Sequence, residues 1–148
     1  MFSILHTVGV EAPVSSVYGA ISTKAGLSGW WTEKVTGDEC VGGVLHFSFD
    51  DHGGNDMRVL ELLSSRRVAW ECVGGAPEWI GTRVSFDLKE SEGECKVLFA
   101  QRGWREEVEF MHYCSTKWAV YLVGLKALLE TGRGTPYPND TRISRRFE

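Results

Sequence analysis

The chain has 148 residues, 43% of them hydrophobic, and a formal charge of −4 at pH 7. That length suits one domain with a substantial core and is short for two, and the acidic balance provides no basic face for nucleic acid. Its basic cluster, Arg142, Arg145 and Arg146, sits near the C-terminus and reads as a solvated tail rather than a phosphate site.

Cys40, Cys72, Cys95 and Cys114 stand apart with no C-x-x-C pair. This argues against structural zinc or a disulfide framework, and for reduced thiols in a cytoplasmic protein. The opening MFSILHTVGVEAP has neither a basic leader nor a long apolar run, so it is not read as a secretory signal. No apolar stretch reaches the roughly 18 residues of a membrane span.

In chain order, ILHTVGVE alternates, with Ile4, His6, Val8 and Val10 on one face of a half-buried strand. Pro13 suits a helix start, and Val14, Val17, Tyr18 and Ile21 follow at helical spacing. Thr23 can cap a second short helix carrying Leu27, Trp30 and Trp31. From residue 44 to 103 the period becomes two. VLHFSFD places Leu45, Phe47 and Phe49 together, and RVAWECV places Val68, Trp70 and Cys72 together. TRVSFDLKE groups Val84, Phe86 and Leu88, while CKVLFAQRG groups Val97, Phe99 and Gln101. DMRVLELL is also a strand, but Val59, Leu60 and Leu62 leave its facing ambiguous. The short turns between runs predict an antiparallel meander.

The last element runs from about Arg105 to Glu130, roughly 38 Å if unbroken. Its stripe is Trp118, Tyr121, Leu122, Leu125, Leu128 and Leu129, extended upstream by Cys114 and Phe110. Gly132 is placed to cap it, and Pro136 and Pro138 prevent resumption. Residues 1–132 therefore read as a single domain and residues 133–148 as a loosely docked tail.

One strand, two small helices, further antiparallel strands and a long terminal helix resemble the helix-grip fold of the START, polyketide-cyclase and birch-pollen-allergen superfamily (SRPBCC). VEAPVSSVYGAIST is similar to the family's opening, AGLSGWW to the end of its second helix, and GGVLHFSF and TRVSFDLKESEGECKVLF to its strands. KWAVYLVGLKALLETGRGTPYPND resembles the terminal helix of the branch homologous to the activator of the heat-shock-protein-90 ATPase. The resemblance implies an α+β fold: a curved antiparallel sheet of about six strands wrapped around the long helix. It also implies a cavity between sheet and helix for a hydrophobic or amphipathic small molecule. Fold alone does not choose among carriers, co-chaperones and cyclases.

The expected ligand-binding residues are Trp31, Phe47, Phe49, Trp70, Phe86, Phe99, Gln101, Phe110, Cys114, Trp118 and Tyr121. Bulky apolar side chains serve a solid core and a lined cavity equally well. Among the inward polar groups His6, Cys72, Cys114, Gln101 and Tyr121, the last two would approach a ligand from opposite walls. DDHGGND offers oxygens and one imidazole but fits no EF-hand spacing and reads as a polar turn. No metal, cofactor or catalytic set is assigned. An enzyme would have to draw on His6, Tyr121, Arg102 or Tyr113. Ala119, Val120, Val123 and Ala127 make the outer face of the long helix apolar, as a covered face would be. A homodimer, or docking of the tail through Tyr137 and Ile143, would cover it. A chaperone is the partner implied by the branch resemblance.

Overall fold

The computed structural model describes residues 1–145; Arg146 lies outside the described residues. Strand β1 (Phe2–Val10) leads into helices α1 (Val14–Ser22) and α2 (Lys24–Leu27). Six strands follow: β2 (Lys34–Gly37), β3 (Val44–Ser48), β4 (Gly54–Leu63), β5 (Arg67–Gly74), β6 (Arg83–Ser91) and β7 (Glu94–Trp104). Helix α3 (Glu109–Thr131) closes the grip. The curved sheet has the order β1-β7-β6-β5-β4-β3-β2, with every neighbouring pair antiparallel.

The sheet has seven strands rather than about six. The additional strand, KVTG, buries only part of Val35, so it lacks the alternating apolar face that marks a strand in sequence. The ambiguity in DMRVLELL has a physical source. Val59 pairs with Trp70 and Glu61 with Ala69, so Leu60 is an extra residue in a β-bulge. The bulge flips the inward face from Met57 and Val59 to Leu62.

The short helices form as their sequence suggests. The Thr23 hydroxyl oxygen accepts the Gly26 N–H at 3.0 Å. Helix α2 ends at Leu27, before the predicted Trp30 and Trp31, yet both indoles are buried from the turn that follows. Helix α3 begins at Glu109 instead of Arg105: strand β7 runs on to Trp104, Val108 is still extended, and the Arg105 guanidinium donates to the carbonyls of Pro77 and Ile80 at 2.7 and 2.8 Å. Gly132 supplies the left-handed cap at φ 84°, and its N–H donates to the Leu128 carbonyl at 2.9 Å.

Trp118, Leu122 and Leu125 of α3 press into the concave face of the sheet, where Phe47, Trp70, Phe86 and Phe99 project. The rings interlock: Trp118 lies 4.5 Å from Phe99, Trp31 lies 4.2 Å from Phe47, and Trp31 stacks on Trp70 at 6.0 Å. Helix α3 is also tied across β1. His6 Nε2–H donates to the Ser115 carbonyl at 2.9 Å, and Lys126 Nζ donates to the Gly9 carbonyl at 2.5 Å.

The segment after Gly132 is held at several points. Tyr137 N–H donates to the Trp31 carbonyl at 2.8 Å, and Glu33 N–H to the Tyr137 carbonyl at 3.1 Å. Gly134 passes so close to Gly29 that an added Cβ would lie 2.2 Å from its carbonyl oxygen. Tyr137 does not lie on the outer face of α3; its ring meets Phe49 edge-on at 5.3 Å. Val123 on that outer face remains 58% exposed.

Candidate functional site

The middle of the grip is filled by protein. Trp31 and Trp118 occupy the hollow beneath α3, and the rings of Phe47, Trp70, Phe86 and Phe99 form a close-packed layer under them. A cavity of about 420 Å³ opens to one side, along the first half of α3. Helix α3 contributes Phe110, Tyr113, Cys114, Lys117, Trp118 and Tyr121. The opposite wall holds Trp31, with Phe49, His52 and Asn55 around the β3–β4 turn and Trp79 from the β5–β6 loop. Tyr137, Pro138, Asp140 and Arg142 of the tail complete it.

Six of the expected residues thus meet around one space: Trp31, Phe49, Phe110, Cys114, Trp118 and Tyr121. Phe47, Trp70, Phe86, Phe99 and Gln101 do not line it. Their side chains point inward as expected, but the two indoles stand between them and the opening. Gln101 is wholly buried, and both polar atoms of its amide already bond to protein. Its amide oxygen accepts Trp118 Nε1–H at 3.0 Å, and its amide nitrogen donates to Thr82 Oγ1 at 3.1 Å.

Sequence reasoning missed Trp79, Lys117 and the tail residues. Trp79 lies in GGAPEW, between the runs RVAWECV and TRVSFDLKE, and a tryptophan in a polar loop is itself a sign of burial. Lys117 interrupts an apolar helix one turn before Tyr121, and that interruption was its signal.

The polar chemistry gathers at Lys117. Its ammonium lies 2.6 Å from Asp140 Oδ2 and donates to the Thr141 carbonyl at 2.9 Å. The Tyr121 hydroxyl donates to the same Asp140 oxygen at 3.0 Å. The two charged side chains are only 11% and 7% exposed. Nearby, Trp79 Nε1–H donates to Cys114 Sγ at 3.4 Å. Burial pushes the Cys114 thiol up to about 12, so it stays neutral and is a poor nucleophile at physiological pH.

The carboxylates of DDHGGND separate. Asp50 pairs with Lys34, and Asp56 lies 2.6 Å from His46 Nδ1. Among the described residues no three His, Cys, Asp or Glu side chains converge as a metal site. Among the described residues no helix is long and apolar enough to cross a membrane.

A long helix gripped by a curved antiparallel sheet, with an aromatic cavity beside it, defines the class as an α+β helix-grip domain. Residues 11–130 match the family of activator of Hsp90 ATPase homolog 1-like proteins, and the chain belongs to that family. It is similar to the Aha1 dimer from Colwellia psychrerythraea, known from a solution structure. The identity is 38% and the TM-score 0.84, over 90% of this chain and 100% of that one. CalU16 from Micromonospora echinospora shares the fold at 19% identity and a TM-score of 0.76, over 98% of this chain and 78% of that one. DynU16, from the dynemicin biosynthetic locus, shares it at 18% identity and a TM-score of 0.76, over 91% of this chain and 49% of its own. At these two identities the likeness is one of fold. No curated protein matches the chain.

Proposed function

We propose that the chain is a cytoplasmic carrier or receptor that holds a hydrophobic or amphipathic small molecule in the cavity beside α3. The observation carrying this reading is the cavity of about 420 Å³, walled by Trp31, Trp79 and Trp118. That volume falls within the ~300–1,000 Å³ of small-molecule sites, which are mostly apolar with a few placed polar groups. Burial of the ligand's apolar surface would drive binding at about 25 cal/mol per Å². The described cysteines are all free thiols, in keeping with a reducing compartment. Native mass spectrometry of the protein purified from its own host tests the reading. A retained small molecule that is lost from a Trp118→Phe variant supports it, and a ligand retained equally by that variant counts against the cavity.

A second reading is favoured by the family itself: an interaction module acting on a chaperone through its outer surface, alone or as a homodimer. The exposed Val123 on α3 supports such a contact face, as does the dimer formed by the Colwellia relative. Sedimentation of wild type and Val123→Glu reads the dimer. Capture of a chaperone that survives Trp118→Phe and is lost with Val123→Glu would favour this reading over the carrier.

A further inference from the structure

We propose that the free edge of β1 pairs with the same edge of a second copy of this chain, antiparallel about a twofold axis at Leu5. The proposal rests on the homodimer of the second reading and names the surface that makes it.

Strand β1 ends the sheet on one side, so one of its edges has no neighbouring strand. The Gly9 carbonyl points off that edge, where it accepts Lys126 Nζ–H, and just beyond it the Glu11 N–H donates to Glu130 Oε2 at 2.8 Å. Along a strand of an antiparallel ladder the backbone groups of successive residues face opposite edges, and the register with β7 is unbroken from Ser3 to Val10. Ser3, Leu5 and Thr7 therefore turn their N–H and C=O groups to the same edge as Gly9. Among the described residues none of those groups has a partner.

Helix α3 caps this edge at Gly9 and Glu11 and leaves residues 3–7 open. The opposite edge of the sheet is guarded. Strand β2 has four residues, its Lys34 is ion-paired with Asp50, and the tail lies along its approach, where Glu33 N–H donates to the Tyr137 carbonyl at 3.1 Å. The stretch FSILHT has no such device. It contains no Lys, Arg, Asp, Glu or Pro, and Leu5 is 60% exposed. An unguarded apolar edge of this kind is a template for another strand.

A second copy fits because the edge complements itself. With Leu5 facing Leu5 of the second copy, Ser3 faces Thr7, and the outward residues form hydrogen-bonded pairs across the axis. The side chains match as well: leucine meets leucine, with the half-exposed Leu98 diagonal to it on β7, and Ser3 sets a hydroxyl beside that of Thr7. Lys126 ends the ladder at Gly9 in both copies. On the concave face the axis brings the two α3 helices side by side. Ser115 and Lys126 both bond to β1, so they mark the flank of α3 that overhangs the edge. Ala119 and Val123 follow Ser115 at steps of four on that flank, and Val123 is 58% exposed. The pairing thus covers Leu5 and Val123 together, on opposite faces of one continuous sheet.

Sedimentation, disulfide trapping and amide exchange on the full chain test this. Wild type should sediment as a dimer, and Leu5→Lys, which sets like charges face to face, should weaken the dimer at least ~10-fold. With the exposed Cys40 changed to Ser, Leu5→Cys should cross-link two copies on oxidation, because hydrogen-bonded partners lie about 5.5 Å apart at Cα, within disulfide reach. Thr7→Cys, which faces Ser3, should not. The Leu5 and Thr7 amides should exchange slowly in the wild-type dimer and fast in Leu5→Lys. A wild-type dimer whose Leu5 and Thr7 amides exchange fast, or one that Leu5→Lys leaves intact, overturns the edge assignment and leaves the homodimer standing. Cross-linking of Thr7→Cys in place of Leu5→Cys overturns the axis at Leu5. A monomeric wild type overturns this proposal together with the homodimer beneath it.

Discussion

The indole of Trp118 on α3 and the amide of Gln101 on β7 meet across the helix–sheet interface, with Nε1–H donating to Oε1 at 3.0 Å. The chain of bonds continues. Gln101 donates to Thr82 Oγ1, and the Thr82 hydroxyl donates to the Trp79 carbonyl at 2.7 Å. Helix, strand and loop are thereby locked together, and one relay joins the Trp118 indole to the backbone of Trp79, two of the three tryptophans that wall the cavity.

Gln101→Leu would leave the Trp118 N–H without its acceptor and Thr82 without its donor, in a site closed to water. The expected loss is about 1–3 kcal/mol for each group so stranded. Urea unfolding should show a lower midpoint at unchanged slope, and a loss under ~0.5 kcal/mol would mean that the relay adds nothing to the packing around it.

The filled middle of the grip predicts a separation between stability and binding. Phe86→Ala should cost about 3–5 kcal/mol and leave ligand affinity of the folded fraction unchanged, since Phe86 lies beneath the indoles and off the cavity. Trp118→Phe should alter affinity and stability together, since it changes a wall of the cavity and also strands the buried Gln101 amide oxygen. Affinity that falls with Phe86→Ala would place the ligand in the centre of the grip instead.

Gly134→Ala should loosen the tail. Its Cβ would collide with the Gly29 carbonyl at 2.2 Å, so the backbone must shift. The expected cost is about 1–3 kcal/mol, with faster protease cleavage within residues 133–145. Unchanged cleavage would show that the tail's seat tolerates the methyl group.

The thiols differ in reach and in charge. Cys40 is exposed and should be the residue alkylated by iodoacetamide in the native state, slowly, because Asp38 beside it holds its thiol up. Cys114 keeps its proton in the fold up to about 12, whereas an unfolded thiol loses it near 9.0. Its contribution to stability is therefore complete below 9.0 and is lost as pH rises toward 12. Over that window unfolding free energy should fall by about 1.4 kcal/mol more per pH unit in wild type than in Cys114→Ala. Parallel slopes in equilibrium unfolding would refute this.

The strands with clean alternation, around Phe47, Trp70, Phe86 and Phe99, were legible because a half-buried sheet repeats every two residues. So was the end of α3, where Gly132 and the two prolines allow no continuation. KVTG was illegible because an edge strand with one half-buried residue has no period to read. DMRVLELL could be recognised as a strand but not faced, since the bulge at Leu60 leaves no mark in composition.

Local periodicity thus determined which side chains point inward, for that depends on backbone geometry a few residues at a time. Packing alone decided what the inward set encloses. Two indoles differ little from two other rings in sequence, but their volumes close the centre of the grip and displace the opening to its side. The pairing of Lys117 with Asp140 was decided there too. It joins a helix to a segment beyond the helix cap, and no periodic pattern spans that turn.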